Sequence, residues 1–301
     1  MHLSRTGVDY VVQAPAKLNL FFEVLGKRSD GYHAIETLVT PIDLYDTLYF
    51  REDASGQVRL VCQRVAQSSE PEGGLATIPE GRDNLVVRAV ELLQQRSGAR
   101  CGARLRLVKR IPAAAGLGGG SSDAAAALVA ANQAWGLGWS HSSLRLLAAE
   151  LGSDVPLFLA GGAVICRGRG EQIEPVSNLG TLHFVVVRPP AGLSTAEVYK
   201  ACQPAPQARR VQPLLSALAS GDLAAVGRLL FNRLESAAAT RSPWIARLRR
   251  ALADTDCLGH GMTGSGTCYF GLCRHARHAR RVAGRLQATG VGIAFAVRGS
   301  P

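Results

Sequence analysis

Between residues 112 and 127 the chain reads Pro112-Ala-Ala-Ala-Gly-Leu-Gly-Gly-Gly-Ser-Ser-Asp-Ala-Ala-Ala-Ala127, a glycine loop that passes directly into an alanine run. Upstream, Leu105 and Leu107 alternate with Arg104 and Arg106, the period of a strand over 103–108. Downstream, residues 123–135 are helix formers without proline. Strand, glycine loop and helix start, in that order, make a place for an anion. Gly116, Gly118, Gly119 and Gly120 let the backbone approach a ligand closely, and the free N–H groups of the first helical turn point at whatever lies there. A polyphosphate fits that description. The loop is not a Walker loop, since no lysine falls between Lys109 and Lys200, and Ser121 stands where a dinucleotide fingerprint needs glycine. Ser121 or Ser122 as N-cap, with Asp123 in the first turn, also suits a capped helix with no ligand. The loop alone leaves both readings open.

Composition narrows the partners. The 34 Lys and Arg outnumber the 23 Asp and Glu, which favours anionic partners. The basic residues are scattered, and the densest group, Arg277, Arg280 and Arg281, reads as the solvated face of a helix rather than a nucleic-acid reader. Seven cysteines, an odd number without a Cys-x-x-Cys pair, argue against a disulfide framework or a zinc ribbon. The longest apolar run, 157–166, is broken by Gly161-Gly162 and is too short to span a bilayer, and residues 1–9 hold no signal core. The expectation is a cytoplasmic protein with neither nucleic acid nor membrane as partner. Length favours two lobes, and a polar shift near residue 170 puts their boundary there, 1–170 and 171–301.

In chain order, residues 10–14 read as a strand interrupted by Pro15-Ala16, and residues 17–25 as a second strand whose alternation puts Lys17 and Asn19 on one face. A turn at 26–31 leads to Tyr32 and His33, a ring and an imidazole suited either to packing or to holding a flat ligand. More strand follows over 37–50, and 68–81 reads as a surface loop. Asp83 or Asn84 caps a helix with Leu85, Ala89 and Leu92 or Leu93 on one face, ended by Gly98. A second helix, 140–151, ends at Gly152, and Asp154 then precedes an apolar run, where a carboxylate is expected to be buried and paired. Strands are expected at 163–167 and 183–188, and helices at 214–219, 223–230 and 245–253. A second glycine loop, 259–266, runs into a strand at 267–272, and its hydroxyls Thr263, Ser265 and Thr267 read either as a hairpin turn or as phosphate donors. A basic helix, 275–288, and a strand, 292–297, close the chain.

Taken together, Pro15-Ala-Lys-Leu-Asn19, the Gly116 to Ser122 loop and Gly261-Met-Thr-Gly-Ser-Gly266 resemble, in order and over nearly the whole chain, the galactokinase, homoserine kinase, mevalonate kinase and phosphomevalonate kinase superfamily. Gly26-Lys-Arg-Ser-Asp-Gly-Tyr-His33 and Leu151-Gly-Ser-Asp-Val-Pro156 are similar to a member acting on a cytidylyl diphosphate. The resemblance implies a two-lobe α+β small-molecule kinase fold, with a ribosomal-protein-like N-terminal lobe, a smaller α+β C-terminal lobe and a cleft between them. It implies ATP and Mg²⁺, and transfer of the γ-phosphoryl group to the 2-hydroxyl of a cytidylyl methylerythritol. Carried over by position, Asp154 takes the hydroxyl proton, Lys17 holds that carboxylate ionised, and Asn19 positions them. Tyr32 stacks on the cytosine and His33 bonds its edge. Pro112, Gly116, Leu117, Gly118, Gly119, Gly120, Ser121 and Ser122 cradle the ATP phosphates, and Asn84, Leu85 and Lys109 line the adenine side. Thr195, Gly264, Ser265 and Gly266 complete the pocket, and Ser122 is the one candidate metal ligand. The alternatives are a relative acting on homoserine, mevalonate or a sugar, and a non-enzymatic RNA-binding protein, against which stands the lack of an aromatic-rich RNA motif.

Overall fold

The computed structural model describes residues 1–65, 78–177 and 179–299. By contact they group into two interleaved units: residues 1–16, 44–113 and 118–161 in the first, and 17–43, 114–117 and 162–301 in the second. A single cut near residue 170 does not separate these units, because two long strands, β2 (Asp9–Lys27) and β3 (His33–Asp53), each contribute to both.

In the first unit β1 (His2–Thr6) pairs antiparallel with the start of β2. The second half of β3 pairs antiparallel with β5 (Gly102–Lys109), and β5 pairs parallel with β4 (Val58–Arg64). The β4–β5 crossover runs through α1 (Leu85–Ser97), capped by Asn84, whose Oδ1 accepts from Val86 N–H, and ended by Gly98 at φ 72°. The buried stripe of α1 is Val86, Ala89, Val90 and Leu93, turned slightly from the expected face. Next come α2 (Gly119–Ala134), α3 (His141–Leu151, capped by Ser140) and a 3-10 turn, Pro156–Leu159. Helix α2 is buried nearly all round: Ala124, Ala125, Ala126, Ala127, Ala130 and Ala131 are all fully buried. Methyl side chains let neighbouring elements approach the helix axis on several sides, at no cost in side-chain entropy.

In the second unit the strand order is β2, β3, β12 (Ile293–Gly299), β8 (Leu182–Arg188), β11 (Tyr269–Cys273) and β10 (Gly259–Met262). A branch, β6 (Val164–Gly168) and β7 (Gln172–Pro175), pairs on the first half of β3, and β9 (Phe231–Asn232) lies parallel to Phe21 and Phe22. The helices are α4 (Thr195–Ala201), α5 (Gln212–Ala219), α6 (Leu223–Leu229), α7 (Leu234–Arg241), α8 (Pro243–Ala253) and α9 (Ala276–Ala288). Their core joins Val185 and Val187 to Leu234, Leu248, Val282 and Leu286.

The structure differs from the sequence-based expectation in places. Pro15 does not interrupt β2; extended backbone accommodates its fixed φ, and its cost is one missing N–H. Half of the second glycine stretch is the strand β10, and the turn proper is 263–268. The short or alanine-rich elements β1, β7, α4 and α7 carry too few apolar residues to announce themselves by period. Most of the 68–81 stretch lies outside the described residues. No described helix is long and apolar enough to cross a membrane.

Candidate active site

Helix α2 begins earlier than its serines foretold. Its N-cap is Gly118, at φ 72°, with no side chain capping the first turn. Ser122 N–H donates to Gly118 C=O at 2.9 Å, so Gly119, Gly120 and Ser121 are the residues whose N–H groups lie ahead of the intrahelical ladder. Ser121 and Ser122 are therefore not caps. Ser122 Oγ is fully buried and has no hydrogen-bond partner among the described residues, and the same holds for Asp123 Oδ1. The floor explains Gly119: a Cβ there would lie 3.0 Å from Ile111 Cγ2 and 3.3 Å from Lys109 Nζ. Leu85 Cδ1 comes to 4.0 Å from the Cβ position of Gly120, which places Leu85 beside the loop.

Under that helix start Lys109 is buried between two carboxylates. Its ammonium donates to Asp123 Oδ2 at 2.5 Å and to Asp46 Oδ2. Asp46, fully buried, also accepts from the N–H groups of Arg110 and Ile111 through Oδ1. Burial works against the Lys109 charge, but the two carboxylates hold its pKa above the ordinary lysine value. For Asp123 the balance falls the other way: burial, with Asp46 adding to it and Lys109 opposing, pushes the carboxyl up to about 7. The Lys109 head group thus anchors the strand before the loop to the helix after it. Asn84 is likewise committed locally, donating to Pro79 C=O at 2.7 Å while it caps α1. Pro112 is half-buried just ahead of the loop.

Asp154 is exposed, not buried, a correction to the sequence-based expectation. The following residues, Val155, Pro156, Leu157 and Phe158, turn inward and satisfy the apolar pattern, leaving the carboxylate in water.

In the second unit the alternation of β2 holds: Lys17 Nζ donates to Asn19 Oδ1 at 2.5 Å, and both residues are buried. That amide oxygen also accepts from Gly264 N–H at 2.9 Å and from Thr263 Oγ1 at 3.2 Å, while Asn19 Nδ2 donates to Thr37 Oγ1 at 2.9 Å. Lys17 N–H donates to Leu117 C=O at 3.0 Å. Asn19 therefore ties β2 to the 263–268 turn. Ser265 Oγ meets Thr195 Oγ1 at 2.8 Å. Asn232 Nδ2 donates to the carbonyls of Met262 and Gly264, both at 2.8 Å, closing the turn from its other side. At Gly116, φ 76°, a Cβ would stand 2.2 Å from Thr263 C=O, so the two glycine segments touch backbone to backbone. Tyr32 is 55% exposed, with the Arg169 guanidinium over its ring at 5.1 Å from the centroid; His33 is half-buried, 5.4 Å from the Tyr199 ring.

Sequence reasoning missed Asp46, Thr37 and Asn232. Each is a polar residue inside an apolar stretch, where burial demands a partner, and that was the available signal.

These features have counterparts in known proteins. The N terminal domain of the GHMP kinases matches residues 84–162, and their C terminal domain residues 214–292. A homoserine kinase structure from Cytophaga hutchinsonii, 19% identical with a TM-score of 0.73, shares the fold over 100% of this chain and 97% of that one. Loop, order of elements and fold define a GHMP kinase. Within that class, 4-diphosphocytidyl-2-C-methyl-D-erythritol kinase of Pelotomaculum thermopropionicum is 45% identical over 92% of this chain and 93% of its own. The one from Gloeobacter violaceus is 38% identical over 90% and 88%. A crystal structure of 4-(cytidine 5'-diphospho)-2C-methyl-D-erythritol kinase superposes with a TM-score of 0.80 at 36% identity, over 97% of this chain and 99% of that one. The chain belongs to this kinase family.

Proposed function

We propose that the chain transfers the γ-phosphoryl group of ATP to the 2-hydroxyl of 4-diphosphocytidyl-2-C-methyl-D-erythritol, a step of the non-mevalonate route to isoprenoid precursors. The reaction class rests on the uncapped start of α2, with its free N–H groups and the orphaned Ser122 hydroxyl; the substrate rests on the relatives' names. The hydroxyl oxygen forms a bond to the γ-phosphorus, the bond from that phosphorus to the β–γ bridging oxygen breaks, and ADP leaves. Such a transfer asks for in-line positioning and charge neutralisation more than for covalent help. The N–H groups of Gly119, Gly120 and Ser121 supply part of that neutralisation. Asp154, exposed and open to a substrate, takes the hydroxyl proton, and Lys17 orients the hydroxyl. Both roles are carried over by sequence position.

Mg²⁺ suits the oxygen atoms present. Ser122 Oγ is buried without a partner among the described residues, and the adjacent Asp123 Oδ1 is the second such oxygen; hydroxyl and carboxylate are hard donors. Ser122 would hold the ion, which supplies charge neutralisation on the phosphate oxygens. Tyr32 offers its exposed ring to the cytosine and His33 its imidazole to the base edge; Thr195, Ser265 and the 264–266 backbone bound the substrate. Seven unpaired cysteines suit the reducing cytoplasm, where we place the enzyme.

Kinetics on three proteins test the assignment. Asp154→Asn should cut kcat by about 10²- to 10⁴-fold with ATP binding by calorimetry unchanged. Tyr32→Ala should raise KM for the cytidylyl substrate and spare kcat. Equal turnover of homoserine or mevalonate by the unaltered enzyme would overturn the substrate, and full activity of Asp154→Asn would remove the base.

A further inference from the structure

We propose that Cys257 and Cys273 form a thiol modification site, a reactive pair that takes up a low-molecular-weight disulfide and closes to a disulfide of its own at the foot of the β10–β11 hairpin. The two residues flank that hairpin. Cys257 stands two positions ahead of β10 and Cys273 ends β11, where Leu258 N–H donates to Leu272 C=O at 2.9 Å. Their sulfurs are 3.8 Å apart, against about 2.0 Å in a disulfide.

A third side chain completes the cluster. His278 on α9 is 4% exposed, one of its ring nitrogens lies within 4.8 Å of both sulfurs, and its Nε2 has no hydrogen-bond partner among the described residues. Its Nδ1 accepts from Arg274 N–H at 3.1 Å, so in the neutral ring Nε2 carries the proton. An imidazole ring that carries an N–H in this cluster favours a thiolate. The same assignment speaks against a metal: Cys257, Cys273 and His278 have metal-ligand spacing, but the Nδ1 lone pair takes the Arg274 N–H and a protonated Nε2 offers none. Nε2 is 3.1 Å from Asp256 Oδ1 without hydrogen-bond geometry, and Arg281, at 2.5 Å, and Arg274, at 3.8 Å, offset the charge of that carboxylate.

The two thiols are unequal. Cys257 is half-buried, and its hydrogen bond with Cys273 holds its pKa below the ordinary thiol value. Cys273 is buried, and the same hydrogen bond together with desolvation keeps its proton on. Cys257 is thus the nucleophile and Cys273 the resolving thiol. The Cys257 thiolate attacks one sulfur of a disulfide R–S–S–R and expels one thiolate. Cys273 then gives up its proton, its sulfur attacks the Cys257 sulfur of the mixed disulfide, and the second R–S⁻ leaves. The protein loses two electrons and the reagent gains them as two thiols. The product clamps the ends of the hairpin whose turn carries Thr263, Gly264 and Ser265.

Full-length enzyme treated with limiting iodoacetamide, and separately with oxidised glutathione, tests this. Chymotrypsin cuts after Tyr269 and Phe270, separating Cys273 from Cys257 and Cys268 in a non-reducing peptide map. Cys257 should alkylate about 10-fold faster than Cys62 and Cys101, the other half-buried cysteines. Glutathione disulfide should yield a Cys257–Cys273 link with loss of two free thiols. Cys273→Ser should stop at glutathionylated Cys257, Cys257→Ser should abolish uptake at this site, and His278→Gln should slow alkylation of Cys257 several-fold. Alkylation of Cys257 no faster than of Cys62 and Cys101, a link to Cys268 instead, or a mixed disulfide that persists in the unaltered protein would overturn the proposal.

Discussion

Among the described residues, in the glycine loop that opens α2, no side chain caps Gly119, Gly120 or Ser121, and the Ser122 hydroxyl has no partner. In the loop between β10 and β11 the protein answers its own backbone: Gly264 N–H goes to Asn19, Gly264 C=O to Asn232, Thr263 N–H to Cys268 C=O and Gly266 N–H to Thr263 C=O. Similar composition serves opposite ends. The first loop leaves donors open at a helix start, where the helix dipole favours an anion. The second uses glycine for close approach and positive φ, at 58° for Gly264 and 91° for Gly266, and is braced by buried amides. Glycine content therefore marks backbone freedom, and only the surrounding side chains decide whether that freedom is left for a ligand or spent on the fold.

The contrast can be broken most severely at the contact between the segments. Gly116→Ala would drive a Cβ to 2.2 Å from Thr263 C=O from a backbone at φ 76°, neither of which can yield cheaply. Loss of about 3 kcal/mol of stability or more, together with turnover, is expected, read from denaturant midpoints and initial rates. An unchanged midpoint would mean that the two segments do not brace each other.

A smaller effect sharpens the role of the floor beneath the first loop. Asp123 has a folded pKa of about 7 against an ordinary value of 3.8, so between those values the folded chain keeps a proton that the unfolded chain releases. Stability should fall as pH rises through that window, by at most about 1.4 kcal/mol per pH unit, and level off above it. Asp123→Asn should remove that slope, measured by denaturation at a series of pH values; an identical slope would place the titrating group elsewhere. The smallest change is expected in the braced loop. Ser265→Ala removes one hydroxyl pair with Thr195 and should cost about 1 kcal/mol in the denaturant midpoint. A much larger loss would show that the turn rests on that pair rather than on Asn19 and Asn232.

Much of this was legible beforehand. The alternation of β2 put Lys17 and Asn19 on one face, and they meet through a hydrogen bond. Asn84, Gly98 and Ser140 mark helix ends because capping is local chemistry, settled within a few residues. The start of α2 was misplaced because two serines imitate an N-cap, while the actual cap, Gly118, is a matter of φ and leaves no side-chain signature. Asp154 was expected to be buried because its neighbours are apolar, yet one residue can face water while the next five face the core.

The sequence by itself determined the types of the longer elements, the glycine segments and the kinase family, since each depends on residue order within a short window or on motifs kept in order along the chain. Only the tertiary structure decided that Asp46 and Asp123 would share Lys109, that Asn19 and Asn232 would close the second loop, and that Cys257 would face Cys273 and His278. Those partners are 14 to 245 residues apart in sequence where a hydrogen bond joins them, and nothing in local backbone preference encodes which buried polar group will meet which. Burial sets the demand for a partner, and packing alone chooses it.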